Sequence, residues 1–181
     1  MWKKVIIISL CISVLIVFSA PISSVNAKGR NIKVNWQIVG TVVDLMPLYS
    51  PLDGSFAGVN SLLNLSAQGP PGPAKITILS RFEGDTSTYE DCTPTMFFDK
   101  NDGVGIFPDN SFLYVSINTD EFGILCPDGS YHVTVNVDGG TGFYAGASGT
   151  LYSEGYTNSV TSDGTISTLI GTITGTIEFS D

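Results

Sequence analysis

The stretch Gly139–Tyr156, GGTGFYAGASGTLYSEGY, combines six glycines with four aromatic residues, and few structures tolerate that mixture. The interior of a helix loses roughly 1 kcal/mol for each glycine, and disordered linkers carry few aromatic residues. A strand that bends sharply, or passes close to another backbone, uses glycine as the kink and aromatic residues as the packed surface. The stretch therefore predicts a strongly curved β-strand, or a strand pair, that closes a small β-barrel.

Alternation of apolar and polar residues recurs along the rest of the chain. It is clearest in Ile32–Ile38, Lys75–Phe82, Ser130–Val137 and Thr165–Phe179, and a period of two is typical of half-buried strands. Seven or eight such strands and no amphipathic helix indicate an all-β fold. We expect a small antiparallel β-barrel of about eight strands, because glycines within strands favour sheet closure; a β-sandwich is the alternative.

Several segments predict turns or loops. Prolines and glycines in Met46–Gly58 and in Gln68–Pro73 favour irregular structure, and the first of these predicts a loop that crosses the domain. Whether residues 44–74 form a lid is left open by the sequence. Asp99–Gly103, DKNDG, has the Asx and Gly content of a turn.

The N-terminus has the pattern of a signal peptide over residues 1–27. Lys3 and Lys4 precede the apolar run Val5–Ala20, and Val25-Asn26-Ala27 supplies the small residues of a cleavage site. The run of 16 residues is shorter than the ~20 needed to span a bilayer, although an uncleaved anchor is the alternative. We therefore expect a single domain at 28–181 outside the cytoplasm: secreted, periplasmic or at the cell surface.

Charge and cysteine content narrow the classes of partner. Removal of Lys3 and Lys4 with the signal segment shifts the formal net charge from -9 to -11, because every Asp and Glu lies beyond residue 27. Repulsion then disfavours nucleic acid and anionic membrane surfaces, and we expect no stable membrane insertion after cleavage.

Cys92 and Cys126 predict one disulfide in an exported chain, with two buried free thiols as the alternative.

The glycine-rich run resembles the GGTGxFxGAxG signature of the allene oxide cyclase and dirigent β-barrel superfamily, and above all its bacterial secreted members without assigned activity. The residues that carry the resemblance are Gly139, Gly140, Thr141, Gly142, Phe143, Gly146, Ala147 and Gly149. The similarity covers roughly the last ninety residues. It implies an eight-stranded antiparallel barrel with an apolar lumen, which the plant relatives use to hold a lipid epoxide or to orient phenolic radicals. Their acidic active-site residues have no match in this sequence.

Candidate catalytic and metal-binding residues are few. His132 is the single histidine, it falls on the polar face of a strand, and no G-x-S-x-G elbow accompanies it. One histidine and two paired cysteines do not supply a zinc site. Asp99–Gly103 departs from the spacing of a calcium loop, and Gly140-Thr141-Gly142 precedes no helix that would hold a phosphate. We therefore expect no metal and no cofactor, and the catalytic residues, if any, are unknown.

Two further sets of side chains are open to more than one interpretation. Glu83, Asp138 and Glu154 lie on or beside predicted strands and would act as acid or base if they pointed into the barrel, although solvation at the surface is the simpler expectation. Tyr144, Tyr152 and Tyr156 share strand parity and would suit a sugar or a flat ligand. Ordinary cross-strand packing is their simpler interpretation.

Three functional hypotheses follow. The leading one is a non-catalytic exported barrel that binds a small apolar molecule in its lumen. The others are an isomerase or cyclase of the plant type, which needs a lumen carboxylate or polar pair with a raised pKa, and a structural or surface-interaction protein whose lumen is filled. The residues predicted to line the lumen are Tyr131, Val133, Phe143, Leu169 and Ile173. The oligomeric state is not indicated.

Overall fold

The computed structural model of the protein describes residues 30–84, 96–117, 123–158 and 168–180. Within these ranges the chain forms nine β-strands and a short 3-10 turn at Gly142–Tyr144. The strands are β1 (Asn31–Tyr49), β2 (Phe56–Gln68), β3 (Ala74–Gly84), β4 (Met96–Ile106), β5 (Phe112–Ile117), β6 (Gly123–Leu125), β7 (Ser130–Gly140), β8 (Ala147–Asn158) and β9 (Thr168–Phe179). The predicted all-β class is confirmed.

The strands close into an eight-membered antiparallel barrel. Going round the wall, the order is β1, β2, β3, β4, β5, β7, β8 and β9, and β9 pairs again with β1. The short strand β6 continues the position of β5, because both strands lie between β4 and β7 and pair with different parts of them. The predicted barrel is therefore confirmed over the sandwich.

Alternation of side chains sends every second residue into the lumen, because successive residues of a strand point to opposite faces. In β7 the buried residues are Tyr131, Val133, Val135 and Val137, as the alternation of the sequence predicts. The same rule buries Leu169, Ile173, Ile177 and Phe179 on β9. These side chains and those from the other strands form one hydrophobic cluster inside the barrel.

Glycines in the wall make room for the largest lumen side chains. The hydroxyl of Tyr131 lies so close to Gly171 that a Cβ atom there would stand 2.7 Å from the hydroxyl oxygen. A Cβ atom at Gly40 would likewise collide with the side chain of Leu65. Gly171 lies on the same face of β9 as the buried Leu169 and Ile173, and its missing side chain leaves the space that the Tyr131 hydroxyl uses.

The segment Met46–Gly58, predicted as a crossing loop, is instead the end of a long hairpin. β1 continues to Tyr49, and β2 begins at Phe56. Beyond Gly40 the described residues give β1 no partner except β2, so Pro47 lies on an edge segment, where a proline breaks no ladder. Residues 44–74 therefore form paired strands and their turns rather than the predicted crossing loop.

The turn predicted at Asp99–Gly103 is also wrong, because β4 runs through it. Gly103 pairs with Ile78 on one side and with Val115 on the other. Pairing with two neighbouring strands has overridden the turn preference of the Asx and Gly residues.

The sequence predicted either one strongly curved strand or a strand pair at Gly139–Tyr156, and the structure has the strand pair. β7 ends at Gly140, the 3-10 turn follows, and β8 begins at Ala147.

Substitution of Gly171 by alanine tests whether the glycines make room in the lumen. The added Cβ atom would meet the hydroxyl oxygen of Tyr131 and the backbone oxygen of Glu154. We expect Gly171→Ala to lower the free energy of unfolding by roughly 1–3 kcal/mol, since overpacking forces side chains and backbone to shift. Gly72→Ala is the control, because a Cβ atom at Gly72 meets nothing within 4 Å. Equal urea denaturation curves for the two variants would contradict this account.

Candidate functional site

A small cavity of about 60 Å³ lies in the lumen. Four of the five predicted lumen residues line it: Tyr131, Val133, Leu169 and Ile173. The rest of its lining is contributed by Trp36, Ile38, Leu63, Leu65, Ile76, Ile78, Ser80, Gly105, Leu113, Val115, Val135, Leu151 and Ser153. The cavity is therefore apolar, enclosed by the barrel wall and little larger than a few water molecules.

The polar atoms near this cavity are hydroxyl groups. The hydroxyl of Tyr131 lies 3.5 Å from Oγ of Ser153, and burial raises the pKa of Tyr131 to about 12. Ser80 also lines the cavity, and it faces Ser61 across the β2–β3 pair. The Ser61 hydroxyl is buried with no hydrogen-bond partner in the described residues.

The carboxylates considered as acid or base lie elsewhere. Glu154 and Asp138 are exposed on the outside of the barrel, and the side chain of Glu83 lies outside the described part of the structure. Among the described residues that line the cavity there is no Asp, Glu or His.

Aromatic side chains close one end of the lumen. The ring of Phe107 lies 4.3 Å from that of Tyr144 and 5.9 Å from that of Trp36, measured between centroids. Phe143 and Phe179 pack edge to face at 5.9 Å beside them. Trp36 Nε1 donates a hydrogen bond of 2.8 Å to a backbone oxygen of the turn between β2 and β3. The predicted lumen residue Phe143 is therefore half-buried in this end cluster and does not line the cavity.

The glycine-rich motif builds the turn that carries this cluster. Gly142, with φ of +58°, begins the 3-10 turn that buries Tyr144. Oγ of Ser111 accepts a 3.0 Å hydrogen bond from the backbone N–H of Phe143. Oγ1 of Thr141 accepts one of 3.2 Å from the backbone N–H of Phe112, at the start of β5. The motif thus closes the barrel end, and Tyr144 does not share a surface with Tyr152 and Tyr156.

A groove of about 1010 Å³ lies on the outside of the barrel. It runs over the outer faces of β1, β7, β8 and β9 and is bordered by the turn before β7; we call it the outer groove. The residues that line it are Gln37, Ile38, Cys126, Pro127, Asp128, Ser130, Tyr131, His132, Tyr152, Glu154, Gly155, Tyr156, Ile170, Gly171 and Thr172.

The strand register arranges the outer groove in rows. A polar row crosses the four strands, with His132 opposite Glu154, Glu154 opposite Thr172, and Thr172 opposite Gln37. On β8, Tyr152 lies two residues before Glu154 and Tyr156 lies two residues after it, so the two tyrosines flank the polar row. His132 stacks on Tyr152 with ring centroids 6.2 Å apart.

The rim of the groove carries a fixed negative charge. Oδ1 of Asp128 accepts hydrogen bonds from the hydroxyl and the backbone N–H of Ser130, at 2.6 and 2.9 Å. These bonds, the side-chain bond first, lower the pKa of Asp128 below its ordinary value. No Lys or Arg is among the described residues that line the groove.

The tyrosines and His132 of this groove were candidates from the sequence, but the groove itself was not. Gln37 and Thr172 lie at opposite ends of the chain and meet only through the β1–β9 pairing. Period-two alternation predicts that both face outwards, but it does not predict which strands are neighbours.

The cysteine prediction is tested only in part. Cys126 is buried and disulfide-bonded, whereas Cys92 lies outside the described residues, so their pairing stays a prediction. The predicted signal segment also lies outside them.

The described residues contain no group of His, Cys, Asp and Glu that would hold a metal ion. They also contain no helix long and apolar enough to cross a membrane.

Comparison of the chain with protein-family models, curated proteins and solved structures gives no match. The resemblance to the allene oxide cyclase and dirigent barrels therefore stays a prediction.

Alkaline titration tests the burial of Tyr131. An unfolded tyrosine loses its proton near pH 10, whereas folded Tyr131 keeps it until about pH 12. Between these values the native state binds more protons than the unfolded state, so stability is full below pH 10 and falls as the pH rises. We expect this tyrosine to account for a loss of about 2–3 kcal/mol.

Tyr131→Phe should flatten that fall in the free energy of unfolding, measured by urea denaturation at a series of pH values. Part of the fall should persist, because burial, and secondarily the charge of Asp109, also raises the pKa of Tyr144. Tyr114→Phe is the control, since Tyr114 is exposed on the outer wall. An unchanged slope in Tyr131→Phe would show that this ring is not buried in solution.

Proposed function

We propose that this chain is an exported, non-catalytic β-barrel whose lumen is a filled structural core and whose outer surface makes its interactions. The observation that carries the proposal is the size of the lumen cavity, about 60 Å³. An engineered cavity that binds benzene measures about 150 Å³, and pockets for larger ligands measure roughly 300–1,000 Å³. A lumen cavity smaller than either supports a filled core over a ligand-binding lumen.

The way in which the lumen is filled supports the same proposal. Tyr131 of β7 reaches across β8 into space left by Gly171 of β9, and Leu65 of β2 uses space left by Gly40 of the neighbouring β1. The aromatic cluster occupies one end. A barrel that stores a ligand needs that space empty. Here the wall and the lumen side chains fit each other instead.

The two competing functions have less support. A cyclase of the plant type requires a lumen carboxylate or a polar pair with a raised pKa. The described lining has no carboxylate, and its polar pair is two hydroxyl groups, Tyr131 and Ser153. A lumen binder has an apolar lining in its favour, but it would require the wall to move apart. The proposal of export rests on the signal-like N-terminus and on the disulfide bond of Cys126, since such bonds persist in oxidising compartments.

Binding of benzene, followed by ligand-detected NMR, tests the filled lumen. We expect no saturable binding to the wild type. Leu151→Ala removes a fully buried lumen side chain and should create a site for benzene, at a cost of about 2–5 kcal/mol in stability. Leu52→Ala is the control, because Leu52 is 95% exposed.

Saturable binding of benzene to the wild type would overturn the filled-lumen proposal. If Leu151→Ala does not fold, Ile173→Val is the milder replacement in the same cavity lining, with an expected cost of roughly 0.5–1.5 kcal/mol. The wild-type measurement decides the proposal in either case.

A further inference from the structure

From the geometry of the outer groove, we infer that it binds a short, neutral oligosaccharide. The inference rests on the proposed function, in which the outer surface makes the interactions. The groove has a volume of about 1010 Å³ against about 60 Å³ for the lumen cavity. The groove is therefore a surface concavity with room for a ligand of several rings.

The centre of the groove is a row of hydrogen-bonding side chains. His132, Glu154, Thr172 and Gln37 lie opposite one another on four neighbouring strands. Together they offer a carboxylate that accepts, a hydroxyl and an amide that both donate and accept, and an imidazole. A ligand that satisfies this row must carry donors and acceptors close together. The hydroxyl groups of a sugar do so, because each one donates and accepts.

Tyrosine rings flank the polar row on both sides. Tyr152 and Tyr156 are 38% and 58% exposed on the same face of β8. Four residues of strand separate them by about 13 Å. A pyranose ring has an apolar C–H face that packs on an aromatic ring while its hydroxyl groups turn to polar neighbours. Contact with both tyrosines requires a chain of linked sugars rather than a single one.

The negative charge of the groove distinguishes between anionic, cationic and neutral ligands. Asp128 and Glu154 bring negative charge to the groove, and no Lys or Arg is among its described lining residues. Anionic ligands such as uronic-acid oligomers are repelled. A quaternary ammonium ion would gain cation–π contact with the tyrosines, but it would satisfy neither the amide of Gln37 nor the hydroxyl of Thr172. A neutral saccharide matches the whole row.

Calorimetric titration and NMR with labelled amides and methyl groups test the inference on the full folded chain. The probes are short neutral oligomers of glucose, mannose and N-acetylglucosamine, with a uronic-acid oligomer and choline as comparisons. We expect saturable binding of at least one neutral series, with chemical-shift changes at Gln37, Thr172 and Glu154. The methyl groups of Val133 and Leu169, which line the lumen cavity, should not shift.

Matched variants locate the site. Tyr156→Ala should lower the affinity roughly tenfold or more, since loss of an aromatic contact and its buried area is worth about 1.4 kcal/mol. Tyr114→Ala, at an exposed tyrosine on β5, should leave the affinity unchanged. Thr172→Val removes a hydroxyl group of the polar row and should also weaken binding. Thr150→Val, at an exposed threonine of β8 outside the groove, is its control.

The outcomes separate this inference from the proposed function. If no neutral saccharide binds, or if choline alone shifts the groove resonances, the saccharide inference is overturned and the filled barrel stands. If a saccharide shifts the lumen methyl groups rather than the groove, both proposals are overturned. Equal effects of Tyr156→Ala and Tyr114→Ala would also overturn the groove as the site.

Discussion

The fit between large lumen side chains and wall glycines is the constraint on which the structure depends. In a closed barrel every inward side chain shares one space, and no edge strand is available to relieve crowding. Tyr131 occupies that space because Gly171 has no Cβ atom there, and Leu65 does so opposite Gly40. The same fit reduces the free volume to about 60 Å³. In the filled barrel that we propose, closure of the sheet and the lack of a lumen site have one physical cause.

In the proposed filled barrel, the side chains available to a ligand lie on the outer surface. Inward residues of β7 and β8 are apolar or hydroxylated, whereas the outward residues of the same strands include His132, Glu154 and two tyrosines. The glycine-rich motif helps to fill the barrel interior, because its turn places Phe143 and Tyr144 in the aromatic end cluster. The outer groove is a large surface concavity that combines aromatic and hydrogen-bonding groups, and we propose that a ligand binds there.

Much of the barrel was predictable from the sequence, because period-two alternation reports which face of a strand is buried. The lumen positions of Tyr131, Val133 and Leu169 followed directly from that pattern. The path of β4 through Asp99–Gly103 did not, since local turn preference there is outweighed by pairing with two distant strands. The groove was unpredictable for a related reason. Its rows depend on register between β1 and β9, which the local sequence does not encode.

Native mass spectrometry of the protein purified from its exporting host is the most direct test of the filled lumen. A sealed, self-packed barrel leaves the host without a lumen ligand. We therefore predict that the mass under native conditions equals that of the denatured chain, with no apolar compound released on unfolding. An apolar molecule that stays bound through purification and leaves only when the barrel unfolds would contradict this account.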